Sequence, residues 1–534
     1  MIAPNSRIIL LKCPIELDNN NQLTFSNSQN QYNYFYNLTK LELDEATFQR
    51  KDGVIRFNTD EEAPNGIGYE EILQYNYCMY QNINYGNKWF YAFITNVIWI
   101  NNGLTDIEIK TDVFQTWQFD ITWKRSFIER EHISKSNDYA GYNTLPENVE
   151  TGEYINCIDI QFNYGSTYYY CIGVSEDIIR SDTTSIYHNK YNGIISGITY
   201  FILKEETDVN MFIFRYNNSG KIDAINSLFM IPSGYVGTPS WSTDATGTIH
   251  YQYVSNTSTY FDLGNLTISK PTIIGETSQG YTPVNKKLLT YPFTYLLADN
   301  NAGANIIYRF EDFKNVEGSP ANTIMFNAIG TIIAGCNIKF IPREYKNVSY
   351  NYNESFNGAK IPVGSWTNDV FTNWLTQNGI NIGLSIASSS IAGVGGAISG
   401  NPLQIASGFL GVSQTLGSIY EHSLFPNQAE GNITSSDTMF SVGKIAPTFY
   451  VRSIKIEYAK LIDHYFSAYG YATKEMKMPN LNNRSNWNFI KTIDANIIGD
   501  IPQNDMQEFK ELFNKGITLW HNPNTFLDYS QNNN

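Results

Sequence analysis

The sequence predicts a mainly β protein of several domains. Three observations carry that expectation: a charge-poor and aromatic-rich composition, one clear hairpin, and a series of short apolar runs parted by Asn, Gly, Ser and Thr. Charged residues make up 16% and aromatics 15% of the 534 residues, with 38 Tyr and 31 Phe. Such a chain favours strands and polar turns over surface helices. Its length suffices for about three or four domains with a large core, so no disulfide support is required.

The hairpin runs from Lys88 to Ile100, turns at Asn101-Asn102-Gly103 and returns over Leu104–Thr111. Asn-Gly suits the positive φ angles of tight turns, and Ile107 and Ile109 alternate with charged neighbours as in a half-buried strand. Asp112 with Gln115 then makes a capping-box-like start for a short helix ending near Trp117. Phe119–His132 reads as strand again. Strand, hairpin and short helix in this order suit a β-barrel or sandwich.

Between about Ser136 and Pro283, strand-like runs at Ile155–Ile160, Tyr168–Val174, Ile198–Leu203 and Met211–Phe214 are separated by polar clusters such as Pro239–Thr248 and Ser255–Thr259. This reads as an inserted β module. Strand signals resume at Leu288–Leu297, Ile306–Phe313, Ile332–Ile341 and Lys444–Ile456. Two helices close the chain, Glu457–Tyr469 stopped by Gly470, and one from Asp505 ending before Gly516.

The net charge of −15 argues against a protein that grips nucleic acid, because phosphate neutralisation needs clustered Lys and Arg. A conduit through which DNA slides is the exception, since adhesion there acts as a brake. Five cysteines, Cys13, Cys78, Cys157, Cys171 and Cys336, show no CxxC spacing and read as buried small hydrophobes in a reducing cytosol. The first apolar run is too short for a secretory signal.

Phe371–Tyr420 contains no Asp, Glu, Lys, Arg or His. A bilayer's roughly 30 Å core takes about 20 apolar helical residues, so the stretch is long enough to cross one. Among its apolar positions are Trp374, Ile380, Ile382, Leu384, Ile386, Ile391, Val394 and Ile398 before Asn401-Pro402. Leu403, Ile405, Phe409, Leu410, Val412, Leu416 and Ile419 follow that bend. Small residues recur four apart, at Gly379 and Gly383, and at Ser388, Ala392, Gly396 and Gly400; such a stripe lets helix backbones approach closely. Asn378, Asn381, Gln404 and Gln414 make the stretch too polar for a permanent anchor. Three readings stand: a conditional membrane segment, a helical hairpin packed within an assembly, or a flexible linker.

Catalytic signatures are missing: the sequence has no GxxxxGK[ST], HExxH, GxSxG or DxDxDG pattern. Glu129, Glu131 and His132 could form an acid/base or metal cluster, but on a strand the two carboxylates face one way and the imidazole the other. No catalytic, metal or cofactor-binding residue is assigned, and no cofactor is expected.

Several blocks together carry a resemblance. Asp112-Val-Phe-Gln-Thr-Trp117, Ser126-Phe-Ile-Glu-Arg-Glu-His132 and Gly152-Glu-Tyr154 lie in the N-terminal part. Asp463-His-Tyr-Phe466 with Gly470-Tyr471, Met478-Pro479-Asn480 with Arg484 and Trp487-Asn488, Gly499-Asp-Ile-Pro502 and Gly516-Ile-Thr-Leu-Trp-His521 lie near the end. In these blocks the chain resembles the tail knob, or distal tail tube, proteins of small phi29-like podoviruses.

The resemblance implies a homo-hexameric ring of β-barrel tube domains around a channel at the tip of a short tail, with hydrophobic loops that plug it and later breach the host cytoplasmic membrane. Implied partners are the phage lower collar or connector, a tail-tip lytic protein, that membrane, and double-stranded DNA passing through. The implied division is a tube domain at 1–135, an inserted β-rich module at 136–282, and a second tube domain at 283–368 and 437–534. The long uncharged, helical, membrane-active loop occupies 369–436. A receptor-binding or cell-wall-degrading tail protein is the alternative.

Overall fold

The computed structural model describes residues 6–46, 49–59, 66–83, 86–162, 168–180, 190–191, 194–195, 199–221, 224–233, 236, 238–253, 261–301, 303–331, 337–360, 363–367, 430–434 and 447–534. The fold is mainly β. The chain divides into two compact units. The first holds Met1–Thr151, Pro283–Leu288 and Glu457–Asn534; the second holds Gly152–Thr282 and Leu289–Ile456.

In the first unit a six-stranded antiparallel sheet is ordered Lys40–Ala46, Ser6–Leu11, Tyr77–Asn82, Phe90–Asn101, Leu104–Thr111, Val54–Asn58. Its inner strands are nearly continuous apolar runs because both faces are covered. Ile8, Leu10, Cys78, Tyr80, Phe90 and Ala92 pack on one side. Their alternate neighbours Ile9, Leu11, Tyr77, Met79, Tyr91 and Phe93 pack on the other. Each large side chain so buried contributes about 1.5–3 kcal/mol. A second sheet joins the two ends of the sequence, in the order Asn21–Leu23, Ile517–Trp520, Trp487–Thr492, Ser126–Glu131, Tyr471–Lys477. Helix Gln503–Lys515 stacks Phe509 on Phe114 with ring centroids 5.6 Å apart.

The second unit contains a seven-stranded sheet ordered Ser242–Thr243, His250–Tyr253, Thr199–Leu203, Tyr168–Val174, Ile225–Pro232, Val363–Thr367, Glu430–Thr434. It also contains a four-stranded sheet, Tyr154–Gln161, Thr448–Ile454, Thr294–Asp299, Asn305–Tyr308. A further sheet is built on Phe261–Ser269, Thr323–Thr331 and Asn337–Tyr345. Phe449 packs against both Phe326 and Phe340 in the core beneath this sheet, with ring centroids 5.2 and 5.1 Å apart.

The predicted hairpin is present, but neither Asn102 nor Gly103 is left-handed. Asn101 Oδ1 instead accepts from Gly103 N at 2.9 Å, and a bulge between Trp99 and Asn101 adjusts the register. Met211–Phe214 is not strand. It lies inside helix Glu206–Asn218, whose start is fixed by Glu205 N donating to Asp208 Oδ2 at 3.0 Å, and whose Phe212 packs on Phe201 while Tyr216 stacks on Phe212. Phe119–His132 breaks into strands Ile121–Trp123 and Ser126–Glu131. Leu288–Leu297 begins as a 3-10 turn, Lys286–Leu289, before strand Thr294–Asp299. Ile306–Phe313 likewise ends in the 3-10 turn Phe310–Asp312.

Candidate functional site

Strand Ile225–Pro232 pairs with Val363–Thr367 through Ser227–Ser365 and Leu228–Gly364. Val363–Thr367 pairs in turn with Glu430–Thr434, from Val363 opposite Thr434 to Thr367 opposite Glu430. Directly opposed residues of an antiparallel ladder have Cα atoms about 4.5–5.5 Å apart. The uncharged segment therefore leaves and re-enters the sheet at one place, as an excursion whose ends are held together by backbone pairing. Every loop position singled out from the sequence, Trp374 to Ile419, lies outside the described residues, as do Asp369, Glu421 and His422, the charged or titratable residues that flank the uncharged stretch. Among the described residues no helix is long and apolar enough to cross a membrane.

Apart from Gly152-Glu-Tyr154, which opens the second unit, the signature blocks lie in the first unit and join its distant strands. Asp112 caps helix Val113–Trp117, its Oδ1 accepting from Gln115 N at 3.0 Å. Its Oδ2 accepts from Tyr77 Oη at 3.0 Å, and Gln22 Nε2 lies 3.3–3.4 Å from both oxygens. The reciprocal half of a capping box is absent, because the Gln115 amide donates to Gln22 Oε1 and the Leu23 carbonyl. Burial without a cation pushes the Asp112 carboxyl up to about 6. Trp117 Nε1 donates to Asp505 at 2.7 Å, and Lys51 pairs with the same carboxylate. Helix Gln503–Lys515 begins before Asp505, which sits in its first turn.

Glu131 and His132 point to separate partners, as strand alternation requires. Glu131 accepts from Asn480 N and Nδ2 at 3.1 and 2.9 Å and pairs with Lys477 at 2.5 Å. His132 Nδ1 accepts from Phe489 N at 2.8 Å while its Nε2 donates to the Ser467 carbonyl at 3.0 Å. Both ring nitrogens are used in the neutral form, and burial, reinforced by Arg484, holds its pKa down to about 3. Glu129 pairs instead with Lys491 at 2.9 Å. Gly470 is left-handed at φ 64°, and a Cβ there would sit 2.3 Å from the Glu131 carbonyl oxygen.

Asp463 accepts from Val284 N and Asn285 N at 2.8 and 3.0 Å, and Tyr471 Oη donates to Asp138 at 2.8 Å. His521 bridges Thr24 and Asn488, with burial pushing it down to about 4. Sequence reasoning missed the buried ion-paired group in which Glu147 joins Arg130 and Lys287. The separation of Lys287 from Glu147 leaves no local pattern to read. Among the described residues no three His, Cys, Asp or Glu side chains gather as a metal site, and the cysteines Cys13, Cys78, Cys157 and Cys171 are free thiols. The arrangement joins distant strands rather than presenting a nucleophile and base.

Residues 251–534 match the family described as Bacillus phage phi29, Tail knob protein gp9, C-terminal domain. Residues 5–123 match the caudoviral major tail protein N-terminus. Tail knob protein gp9 of Bacillus phage PZA is 26% identical, covering 96% of this chain and 96% of that protein. The gp9 of Bacillus phage phi29 is 25% identical over 97% of this chain and 96% of its own length. The solved structure of the bacteriophage C1 tail knob protein, gp12, superposes with a TM-score of 0.64 at 14% identity, covering 98% of each chain, which is a likeness of fold. The signature joints and the family match over more than half the sequence lead to one conclusion: the chain belongs to the tail knob gp9 family of phi29-like phages, a structural family of the short viral tail.

Proposed function

We propose that this protein forms the distal tail channel of a short-tailed phage. In this reading six copies make a ring attached to the lower collar or connector, with a lytic protein at the same tip. The genome passes through as double-stranded DNA, and the uncharged segments plug the channel until they enter the host cytoplasmic membrane. Six copies at −15 each make a passage to which DNA does not adhere. The five sequence segments are a division by role laid over two packed units: tube wall at 1–135 and at 283–368 with 437–534, module at 136–282, and releasable helical loop at 369–436, of which Glu430–Thr434 is strand and stays in the sheet.

The observation that most supports this reading is the pairing of Thr367 with Glu430. A segment whose two ends are tied together can change conformation without opening the sheet from which it emerges. Its lack of charge, and its small residues four apart, suit packing first against other copies and then in lipid.

Deleting Gln377–Thr415 tests it. The reading expects rings that still assemble, seen by electron microscopy, and virions that adsorb without delivering DNA. Monomeric or aggregated protein would make the segment part of the structural core, and normal DNA delivery would remove its role in penetration.

A further inference from the structure

Within the first unit, a cavity of about 340 Å3 is lined by His132, Lys135, Asn285, Ser467 and Arg484 together with the C-terminal stretch Tyr529–Asn533. No carboxylate belongs to this lining, although the whole chain is acidic. Arg484 is only 7% exposed. Its Nε donates to the Ile133 carbonyl at 2.7 Å and its Nη1 to the Asn533 carbonyl at 3.0 Å. Both acceptors are neutral, and among the described residues Nη2 has no hydrogen-bond partner and the guanidinium no ion-pair partner. Leaving a buried cation without a counter-charge costs several kcal/mol.

Asp138 attracts both Arg484 and Lys135 through space, but among the described residues no carboxylate pairs directly with the guanidinium. Asp138 is engaged by Tyr471 Oη and Lys286 N, and approaches Lys135 only at 4.0 Å. Asp463 is engaged by Val284 N, Asn285 N and Asn285 Nδ2. Lys286 Nζ reaches the Pro283 carbonyl, and Arg130 and Lys287 both pair with Glu147. His132 is neutral by its hydrogen bonds. Burial and Arg484 together lower the Lys135 pKa, so the two cations oppose each other. Ser467 Oγ accepts from Asn285 Nδ2 at 2.8 Å, which leaves its own proton free to donate.

We propose that this cavity is an oxyanion site in which the Arg484 guanidinium, the Lys135 ammonium and the Ser467 hydroxyl hold a small tetrahedral anion of the phosphate class. The planar guanidinium offers directed N–H donors to such an anion, and lysine adds a mobile charge. Holding an anion there would tie the C-terminal stretch to the strand that precedes Ile133, independently of what the tail delivers.

Calorimetric titration of the full chain with inorganic phosphate, at an ionic strength fixed with chloride, tests the site. The expected result is one saturable site per chain, weakened about tenfold or more by Lys135→Gln, the loss of one charge-assisted contact, and abolished by Arg484→Gln. No saturable binding, an equal response to chloride, or unchanged affinity in Lys135→Gln would overturn it. Should Arg484→Gln not fold, Lys135→Gln and Ser467→Ala decide. Displacement of phosphate by a short oligonucleotide would overturn the free anion in favour of a nucleic-acid phosphate.

Discussion

Thr367 stands opposite Glu430 in an antiparallel ladder, so the stretch 368–429 begins and ends at a single point on the edge of a seven-stranded sheet. In the first unit, buried polar side chains likewise tie together residues far apart in the sequence, Trp117 to Asp505 and Glu147 to Lys287.

Asp112 should make the fold depend on pH. Its folded pKa, about 6, lies above its ordinary value of 3.8, so the folded state holds the proton more tightly than the unfolded chain. That contribution is fully present below about pH 4 and is lost as pH rises through about 6, amounting to on the order of 2–3 kcal/mol. Urea midpoints between pH 4 and 7 should show this component in the parent and not in Asp112→Asn. An identical pH profile for the two proteins would contradict the assignment.

Gly470 and Gly220 both follow helices with left-handed φ, 64° and 71°, but only Gly470 meets a backbone wall. Gly220→Ala should cost about 1 kcal/mol for the backbone conformation alone. Gly470→Ala adds a collision with the Glu131 carbonyl, so a loss on the order of 3 kcal/mol or more is expected. Equal thermal shifts for the two variants would show that the close approach does not matter.

Glu147 is buried between Arg130 and Lys287 and also accepts from Ala472 N at 3.1 Å. Glu147→Gln leaves two cations facing each other in the interior and should destabilise by about 3–5 kcal/mol. Adding Lys287→Met should restore part of that loss, which a double-mutant cycle measures as coupling. Strictly additive effects would deny the triad.

Local patterns made part of this fold legible. The hairpin ending at Thr111 and the helix stopped by Gly470 follow from periodicity and punctuation within a dozen residues. Met211-Phe-Ile-Phe214 misled because an apolar run of four suits either strand or helix, and the deciding signal, Glu205 with Asp208, lies upstream. The parallel pairing of Asn21–Leu23 with Ile517–Trp520 joins the two ends of the sequence and has no local signature. Neither does the stem: Glu430-Gly431-Asn432 has little strand propensity and is held by its partner Val363–Thr367. The uncharged segment is conspicuous by composition alone, since the absence of charge needs no partner to be seen.

Dye release from liposomes by the assembled ring tests the central claim most directly. The wild-type ring should release dye, increasingly as pH falls and the carboxylates beside the segment are protonated. Replacing Ile391, Val394, Ile398 and Leu410 with Asp should abolish release, since each charge costs about 2.5–3.5 kcal/mol at the centre of a bilayer. Release that persists in the fourfold variant would place the membrane activity elsewhere in the chain and contradict the account.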